Sequence, residues 1–434
     1  MSRRRRKTPS GLLRASCLTI ACTVASSFSG AMAQNHGWSI DFEGASRLRI
    51  DAYDNPFFGL AETQDFASFQ YRSTLAASIR SQSGLSVYGQ LGFYGEEGGG
   101  ARDRSLDRND GDLLQGYLAY GREMAGWTVS GRLGRQRNPQ GESRLNAARE
   151  APNAVRTFDG VSVVAESGGA RLSLFALRPV RLSPGLFDDK TNSAEAFWGG
   201  YLGRQDIRER INLDLYYFGR RDARTVWAQG AGAETRHSVG ARLFGRVGAT
   251  DVNIETIYQF GKFADNAINA WGAAFDANTP LTSGRRDHRL GLRGNVVSGD
   301  RNPDDGDLQT FSAIYPRFAY YSDAATIAPA NALDLQAYGL IEPSENVTFE
   351  IAAGRIWRLR ETDAVYRVPY EILVPPRAGE GSRVADIAFV RAVWRLAEGV
   401  SVESAYVFSA AGSVLDASQD GRLHYANLSL SWTY

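Results

Sequence analysis

The sequence predicts an all-β fold: a transmembrane antiparallel β-barrel of about 18 strands, with long extracellular loops and short periplasmic turns. Three observations predict it. Segments in which apolar and polar residues alternate recur along the whole chain, whereas helical periodicity is scarce. After the first 33 residues, no apolar run approaches the roughly 18 residues that a membrane-spanning helix needs. The chain opens with the pattern of an export signal and has no cysteine after it.

The first 33 residues are typical of a secretory signal peptide. Arg3 to Lys7 form a basic segment, Leu18 to Phe28 form a short apolar run, and Ala31 to Ala33 fit the small-x-small cleavage pattern. We therefore expect residues 1–33 to be a signal peptide that is cleaved near Ala33. Residues 34–434 are then expected to form one barrel domain, because no linker or composition break divides them.

Removing the signal peptide changes the composition. Cys17 and Cys22 leave with it, so the mature chain can form neither a disulfide nor a thiolate metal site. Six of the 49 basic residues also leave, and the remaining 43 face 48 acidic residues, a net charge of −5. No basic tail remains to bind nucleic acid. Lys190 and Lys262 are the only lysines left, so arginine supplies nearly all the positive charge.

The mature chain begins with an alternating strand, "WSIDFEGASRLRID". One face is apolar and the other is charged, which fits a barrel strand between lipid and a wet lumen. The residues expected on the lipid are Trp38, Ile40, Phe42, Leu48 and Ile50. The residues expected on the lumen wall are Asp41, Glu43, Arg47 and Arg49.

The same alternation continues in order along the chain, for example at residues 69–80, 85–93, 127–133, 211–217, 252–260 and 289–296. Long polar connections are expected at 95–111, 138–156, 187–194, 299–330 and 366–383. A lipid-exposed sheet must close on itself, since it cannot leave edge groups unpaired. A closed barrel of this size is expected to enclose an aqueous channel rather than a packed core, and the polar faces would line it.

The last strand, "HYANLSLSWTY", alternates up to the carboxy-terminal Tyr434. An aromatic last residue on such a strand looks like the insertion signal of bacterial outer-membrane proteins, so barrel-insertion machinery is an expected partner. Trp432 and Tyr434 also suit an aromatic girdle at a membrane interface. The expected location is the outer membrane of a Gram-negative bacterium, in contact with its lipid. A soluble secreted β-sandwich is the alternative.

Neither catalysis nor a cofactor is expected. The mature chain has four histidines but no GxSxG, HExxH or HxH motif. A membrane-embedded hydrolase with distant triad partners stays open as an alternative, and it would require His288. The acidic loop from Asp300 to Asp307 has oxygen ligands for Ca²⁺, but its spacing departs from an EF-hand, so we expect a solvated loop and no metal.

Arginine is the most informative residue type. Residues 131–160 alone carry six arginines, with Glu142, Glu150 and Asp159 between them. An arginine fork binds carboxylates at two points, and arginines in a pore select for anions. Acidic residues between the arginines would hold the guanidinium groups in place and weaken their binding of a passing anion. The alternative is that these arginines form only the ion pairs of an ordinary barrel lumen.

The chain resembles the alginate export family of outer-membrane barrels. The matching pieces are "GRLGRQR" with "TFDG" (131–137 and 157–160), "RHSVGARLFG" (236–245), "YQFGKF" (258–263), "HRLGLRGNVVSGD" (288–300), "TFSAIYPRFAYYSDAATIAPANALDL" (310–335) and the last strand. The resemblance implies a monomeric eighteen-stranded barrel with an arginine-rich, anion-selective pore for an acidic polysaccharide. By motif, the pore residues would be Arg72, Arg132, Arg135, Arg137, Arg289, Arg293 and Arg317, with Asp159 as a counter-charge.

The function expected from residues and resemblance together is a passive outer-membrane channel for an anionic polysaccharide or oligosaccharide, such as alginate. A general or small-anion porin is the alternative, and a hydrolase ranks below it. Periplasmic export or uptake partners are compatible with either direction of transport, which the sequence leaves open.

Overall fold

The computed structural model describes residues 37–61, 64–99, 107–150, 152–208, 210–281, 288–415 and 421–434. The expected signal peptide, with its cleavage near Ala33, lies outside these residues.

Eighteen long strands form one sheet among the described residues. They are β1 Trp38–Asp54, β2 Phe66–Ser81, β3 Leu85–Gly98, β4 Asn109–Met124, β5 Trp127–Gln136, β6 Phe158–Ser167, β7 Ala170–Arg181, β9 Glu195–Arg208, β10 Ile211–Trp227, β11 Gly230–Val247, β12 Thr250–Phe263, β13 Asn266–Pro280, β14 Arg289–Val297, β16 Ala332–Ser344, β17 Val347–Arg358, β20 Arg383–Ala397, β21 Val400–Ala411 and β22 Arg422–Thr433. Four short strands lie in the loops: β8 Lys190–Thr191, β15 Asp307–Leu308, β18 Val365–Arg367 and β19 Glu371–Val374. Two single 3₁₀ turns span Pro56–Gly59 and Ser413–Leu415.

The sheet closes on itself. Each long strand pairs antiparallel with the next long strand along the chain, and β1 pairs with both β2 and β22. The closing ladder runs from Ala45 opposite Thr433 to Asp54 opposite His424. Closure leaves the lipid-facing wall without an unpaired sheet edge. The predicted fold class, a barrel of eighteen antiparallel strands, is confirmed. None of the described residues forms a helix long and apolar enough to cross a membrane.

The two faces of the wall differ in chemistry. The outward positions carry large apolar side chains, such as Leu118 at 52%, Leu133 at 59% and Leu290 at 52% exposure. The inward positions carry buried polar side chains, such as Ser162 and Gln259. Alternation along each strand therefore separates a lipid-facing surface from the interior.

The two ends of the barrel also differ. The chain enters β1 and leaves β22 at the end that carries short turns, at residues 82–84, 125–126, 168–169, 248–249, 345–346 and 398–399. Gly126 and Gly399 supply positive φ angles of 78° and 71° for two of these turns. Outer-membrane barrels keep their short turns in the periplasm, so the other end, with the long loops, is extracellular.

Three long loops fold into the barrel toward its extracellular end. They connect β5 to β6 (137–157), β14 to β16 (298–331) and β17 to β20 (359–382), and we call them the crossing, central and closing loops. The amide of Ala147 in the crossing loop donates to the Tyr315 carbonyl in the central loop at 2.9 Å. The amide of Ala313 in the central loop donates to the Tyr370 hydroxyl in the closing loop at 2.7 Å.

Aromatic side chains pack where these loops meet the inner wall. Phe158 and Phe197 of the wall contact Tyr315, and all three are buried. The barrel therefore encloses a packed core toward this end, where the sequence analysis expects only water. Long-range contacts between loop aromatics and wall aromatics cause the difference, and strand periodicity cannot reveal them.

Candidate pore constriction

The crossing loop spans the barrel from one wall to the opposite one. Near one end of the loop, Glu150 and Asn153 contact β1 and β2. Near the other, Glu142 and Arg144 contact β11, β12 and β14. Strands β2 and β12 are nine positions apart in the ring of eighteen, so the loop divides the interior at this level.

Buried polar contacts fix both ends of the crossing loop. The side-chain nitrogen Nδ2 of Asn153, a residue with no exposed surface, donates to the carbonyls of Tyr71 at 2.9 Å and Gly95 at 3.0 Å. Arg144 pairs with Glu255 at 2.9 Å and donates to Asn295 at 2.6 Å. A loop anchored on opposite walls holds its charged side chains in fixed positions.

Three arginines converge on Glu150 where the loop meets β1 and β2. The carboxylate lies 3.1 Å from Arg72 Nη2 and 3.0 Å from Arg137 Nη1. The Glu150 carbonyl accepts a hydrogen bond from Arg47 Nη1 at 3.0 Å. The Glu150 side chain is 54% exposed, so this group borders open space. We call these four residues the arginine cluster; it holds three positive charges against one negative charge.

A second charged row lies on the wall formed by β14, β17 and β20. Glu350 forms an ion pair with Arg293 at 2.8 Å and accepts a hydrogen bond from Arg391 at 2.9 Å. Arg391 also pairs with Asp323 of the central loop at 2.6 Å. These charges neutralise one another in pairs. The row therefore braces the central loop against the wall and adds little net charge.

Arg317 of the central loop is exposed, and no carboxylate among the described residues lies within 4.0 Å of it. Its guanidinium lies 5.7 Å from the Tyr320 ring centroid. Surrounding protein lowers the pKa of Arg317, and the nearby Arg144 and Arg293 lower it further. A group whose charge is disfavoured in this way gains from an added anion.

The other lumen arginines lie closer to the periplasmic end. Arg132 is exposed and lies 5.1 Å from the Tyr117 ring centroid. Arg289 pairs with Asp251 at 2.6 Å and is 7% exposed. These residues lie on inward positions but outside the arginine cluster.

The charged face of β1 turns inward, and its members have separate partners. Asp41 pairs with Arg80 at 2.8 Å, and Glu43 accepts from the Tyr88 hydroxyl at 2.6 Å. Arg49 pairs with Asp51 at 2.8 Å. On the opposite face, Trp38, Phe42 and Ile50 are exposed on the outer surface.

Arg135 and Asp159 lie on the outer face of the barrel. Arg135 shares its face of β5 with Leu133, and Asp159 shares its face of β6 with Val161, which is 45% exposed. The pair is bidentate, at 2.9 and 3.2 Å, and is covered by loop 182–194, whose Thr191 hydroxyl donates to Asp159. This placement departs from the prediction that both line the pore, because a residue two positions beyond an outward residue also faces outward.

The alginate export family profile matches residues 39–429. The chain belongs to the alginate export family. The resemblance found in the sequence is thus confirmed over nearly the whole chain. No curated protein sequence matches the chain.

Solved structures match the fold of this family member. OccAB4 of Acinetobacter baumannii is 10% identical, with a TM-score of 0.59 over 91% of this chain and 98% of that one. OccK5 (OpdH) of Pseudomonas aeruginosa is 12% identical, with a TM-score of 0.58 over 91% and 97%. The outer membrane protein opdK of P. aeruginosa is 13% identical, with a TM-score of 0.53 over 91% and 99%. At these identities the likeness shows the fold, an outer-membrane porin-like barrel. Family and fold together indicate a channel.

The acidic side chains of this alginate export family member do not gather in the loop from Asp300 to Asp307. The Asp300 carboxylate accepts from the Asn302 amide at 3.0 Å and from Gln229 at 2.6 Å. Asp304 is 3.9 Å from Arg377 and largely exposed. Among the described residues, three carboxylates meet at Asp112, Asp188 and Asp189. There, however, one Asp112 carboxylate oxygen accepts hydrogen bonds from the backbone amides of Asp188 at 2.8 Å and Asp189 at 2.9 Å.

The three histidines among the described residues form hydrogen bonds that do not belong to a catalytic triad. Nδ1 of His237 lies 2.8 Å from the Tyr217 hydroxyl, and Nδ1 of His424 lies 2.8 Å from the Tyr406 hydroxyl, both on the outer face. Nδ1 of His288 accepts from the Glu342 amide at 3.1 Å. None of these contacts orients a nucleophile.

Sequence reasoning missed several residues that shape the constriction. Glu350 and Arg391 lie on inward positions of alternating strands, so their parity could have located them. Asn153 and Tyr315 lie in loops without periodicity and gave no such signal.

Proposed function

We propose that this protein is an outer-membrane channel that passes an anionic oligosaccharide or polysaccharide, with uronates such as alginate as the first substrate class. The observation that supports the proposal is the arginine cluster. Two guanidinium groups share the exposed Glu150 carboxylate and a third bonds the backbone carbonyl of the same residue, so the cluster carries an excess of two positive charges.

Glu150 gives the cluster its proposed mode of action. A substrate carboxylate would replace the Glu150 carboxylate at Arg72 and Arg137, since both offer the same oxygen geometry to a guanidinium fork. When the substrate moves on, Glu150 would rebind. This exchange keeps binding weak enough for release, as conduction requires. Arg317 in the central loop and Arg132 closer to the periplasmic end would also attract the anionic substrate.

We further propose that the chain is cleaved near Ala33, reaches the outer membrane of a Gram-negative bacterium through the barrel-insertion machinery, and works there as a monomer. Residues 34–434 would be the mature barrel. Periplasmic partners for export or uptake would dock at the end that carries the short turns.

A small-anion porin is the second candidate. The packed core supports it, because the in-folded loops narrow the passage beside the arginine cluster. This candidate shares the preference for anions but predicts that oligosaccharides neither enter nor block the pore.

Planar-bilayer recording tests both functions. In a KCl gradient, the wild-type channel should show a reversal potential that favours chloride, and added oligouronate should block the current in discrete events. Arg72→Gln with Arg137→Gln should reduce both effects. Arg135→Gln, on the outer face, is the matched control and should reduce neither. A cation-selective wild-type channel would contradict the proposal, and chloride preference without oligouronate block would favour the small-anion porin.

A further inference from the structure

An aromatic belt marks one level on the outer face of β10 to β13. Tyr217, Tyr258, Phe260 and Trp271 are each more than one-third exposed there. Such belts lie at the boundary between the apolar band of a barrel and the polar headgroups. Because the belt lies nearer the end of the barrel that carries the long loops, it marks the outer-leaflet boundary.

A cationic row lies one step beyond the belt on the same face. Arg221 of β10 is opposite Thr235 of β11, which is opposite Lys262 of β12. Phe260 and Lys262 are two residues apart, so both face outward. Lys262 is twelve residues beyond the start of β12, or about 30 Å along the barrel axis, whereas the apolar band is about 25 Å tall. The row therefore lies at headgroup depth.

Within the described residues, no ion pair is formed by Arg221 or Lys262. Both are exposed, and no carboxylate among the described residues lies within 4.0 Å of either one. The nearest acidic residues along the strands, Asp222 and Glu234, face inward, where they bind Arg220 and Arg236. Partners directly opposite across strands are about 5 Å apart, so the two charges lie about 10 Å from each other with the Thr235 hydroxyl between them.

We propose that Arg221, Thr235 and Lys262 form a binding site for the phosphate groups of a lipid A-type glycolipid in the outer leaflet, with its acyl chains lying against the aromatic belt. Charge complementarity and depth select this ligand: two cations without an ion-pair partner among the described residues, and a hydroxyl, lie at the level where the outer leaflet presents phosphate. The site is on the outside of the barrel and does not depend on what the channel conducts.

The test measures lipid A binding to detergent-purified protein by native mass spectrometry. The double variant Arg221→Gln, Lys262→Gln should bind diphosphorylated lipid A roughly 30-fold more weakly, since each cation near an anionic lipid surface contributes about a factor of five. Arg122→Gln is the matched control: Arg122 is an exposed outward arginine at the opposite rim, in the strand that ends at Met124. It should leave binding unchanged.

Further measurements control for folding of the variant and for the role of the phosphate groups. Heat-modifiable gel mobility and single-channel conductance report whether the double variant is a folded channel; the proposal expects both to match wild type. Dephosphorylated lipid A should bind wild type and the double variant equally. Unchanged affinity of a folded double variant for diphosphorylated lipid A would overturn the proposal. So would inorganic phosphate alone competing fully at the same concentration as lipid A.

Discussion

Replacing Glu150 with glutamine should make the channel hold anions longer. In the wild type the Glu150 carboxylate lies 3.1 Å from Arg72 and 3.0 Å from Arg137, and it neutralises one of the three charges in the cluster. The Glu150 carbonyl, which accepts from Arg47 at 3.0 Å, survives the substitution. The cluster should therefore keep its shape while its net charge rises by one.

The size of the effect follows from the added charge. A unit charge about 4 Å from a substrate carboxylate contributes about 1 kcal/mol in water and about 4 kcal/mol at an effective dielectric constant of 20. Because the Glu150 side chain is 54% exposed, we take the lower value. It corresponds to an oligouronate dwell time about fivefold longer. The effect should shrink as KCl approaches 1 M, where screening is strong.

Single-channel recording with oligouronate at 0.1 M KCl measures the dwell time directly. Glu398→Gln removes a carboxylate from a periplasmic turn and is the matched control, with an expected dwell time equal to wild type. If Glu150→Gln leaves the dwell time unchanged or shortens it, Glu150 does not compete with the substrate and the exchange mechanism fails.

Three further predictions concern the barrel itself. Arg236→Ala removes the partner of Glu234 in a pair about 1% exposed, at 2.7 Å, so the free energy of unfolding in urea should fall by about 3–5 kcal/mol; a loss below about 1 kcal/mol would show that the pair is dispensable. Leu133→Arg places a charge on the lipid face and should cost about 2–4 kcal/mol in lipid vesicles; a neutral result would mean that this face meets water. Burial raises the pKa of Asp189 to about 6, above its ordinary 3.8. As the pH falls from 7 to 5, the Asp189 carboxylate is therefore protonated in the folded loop before it is protonated in the unfolded loop, and the folded loop should become more stable. Hydrogen exchange corrected for intrinsic rates should show this rise for residues 182–194, and Asp189→Asn should abolish it.

The strand pattern was readable from the sequence because its causes are local. In β1, side-chain direction alternates with period 2, so the positions of Phe42 and Arg47 on opposite faces follow from the residue types alone. The ends of strands were harder to read. Strand β5 ends at Gln136, so Arg135 still points outward while Arg137 turns toward Glu150.

The constriction was only partly readable because its contacts are non-local. Arg47 and Glu150 are 103 residues apart, and Arg144 and Asn295 are 151 apart. Alternation indicates that a side chain faces inward, but not which loop meets it there. The packed core around Tyr315 is another such case: its aromatic partners, Phe158 and Phe197, come from two separate strands, and nothing local distinguishes Tyr315 from an exposed loop residue.

The most direct test of the central claim is flux into liposomes of two oligosaccharides of equal length, one uronate and one neutral. The account predicts that the uronate enters faster through the wild-type channel. It also predicts that replacing Arg47, Arg72 and Arg137 together with glutamine removes this preference while the neutral sugar enters at its former rate. Equal rates for both sugars in the wild type, or an undiminished preference in the triple variant, would contradict the account.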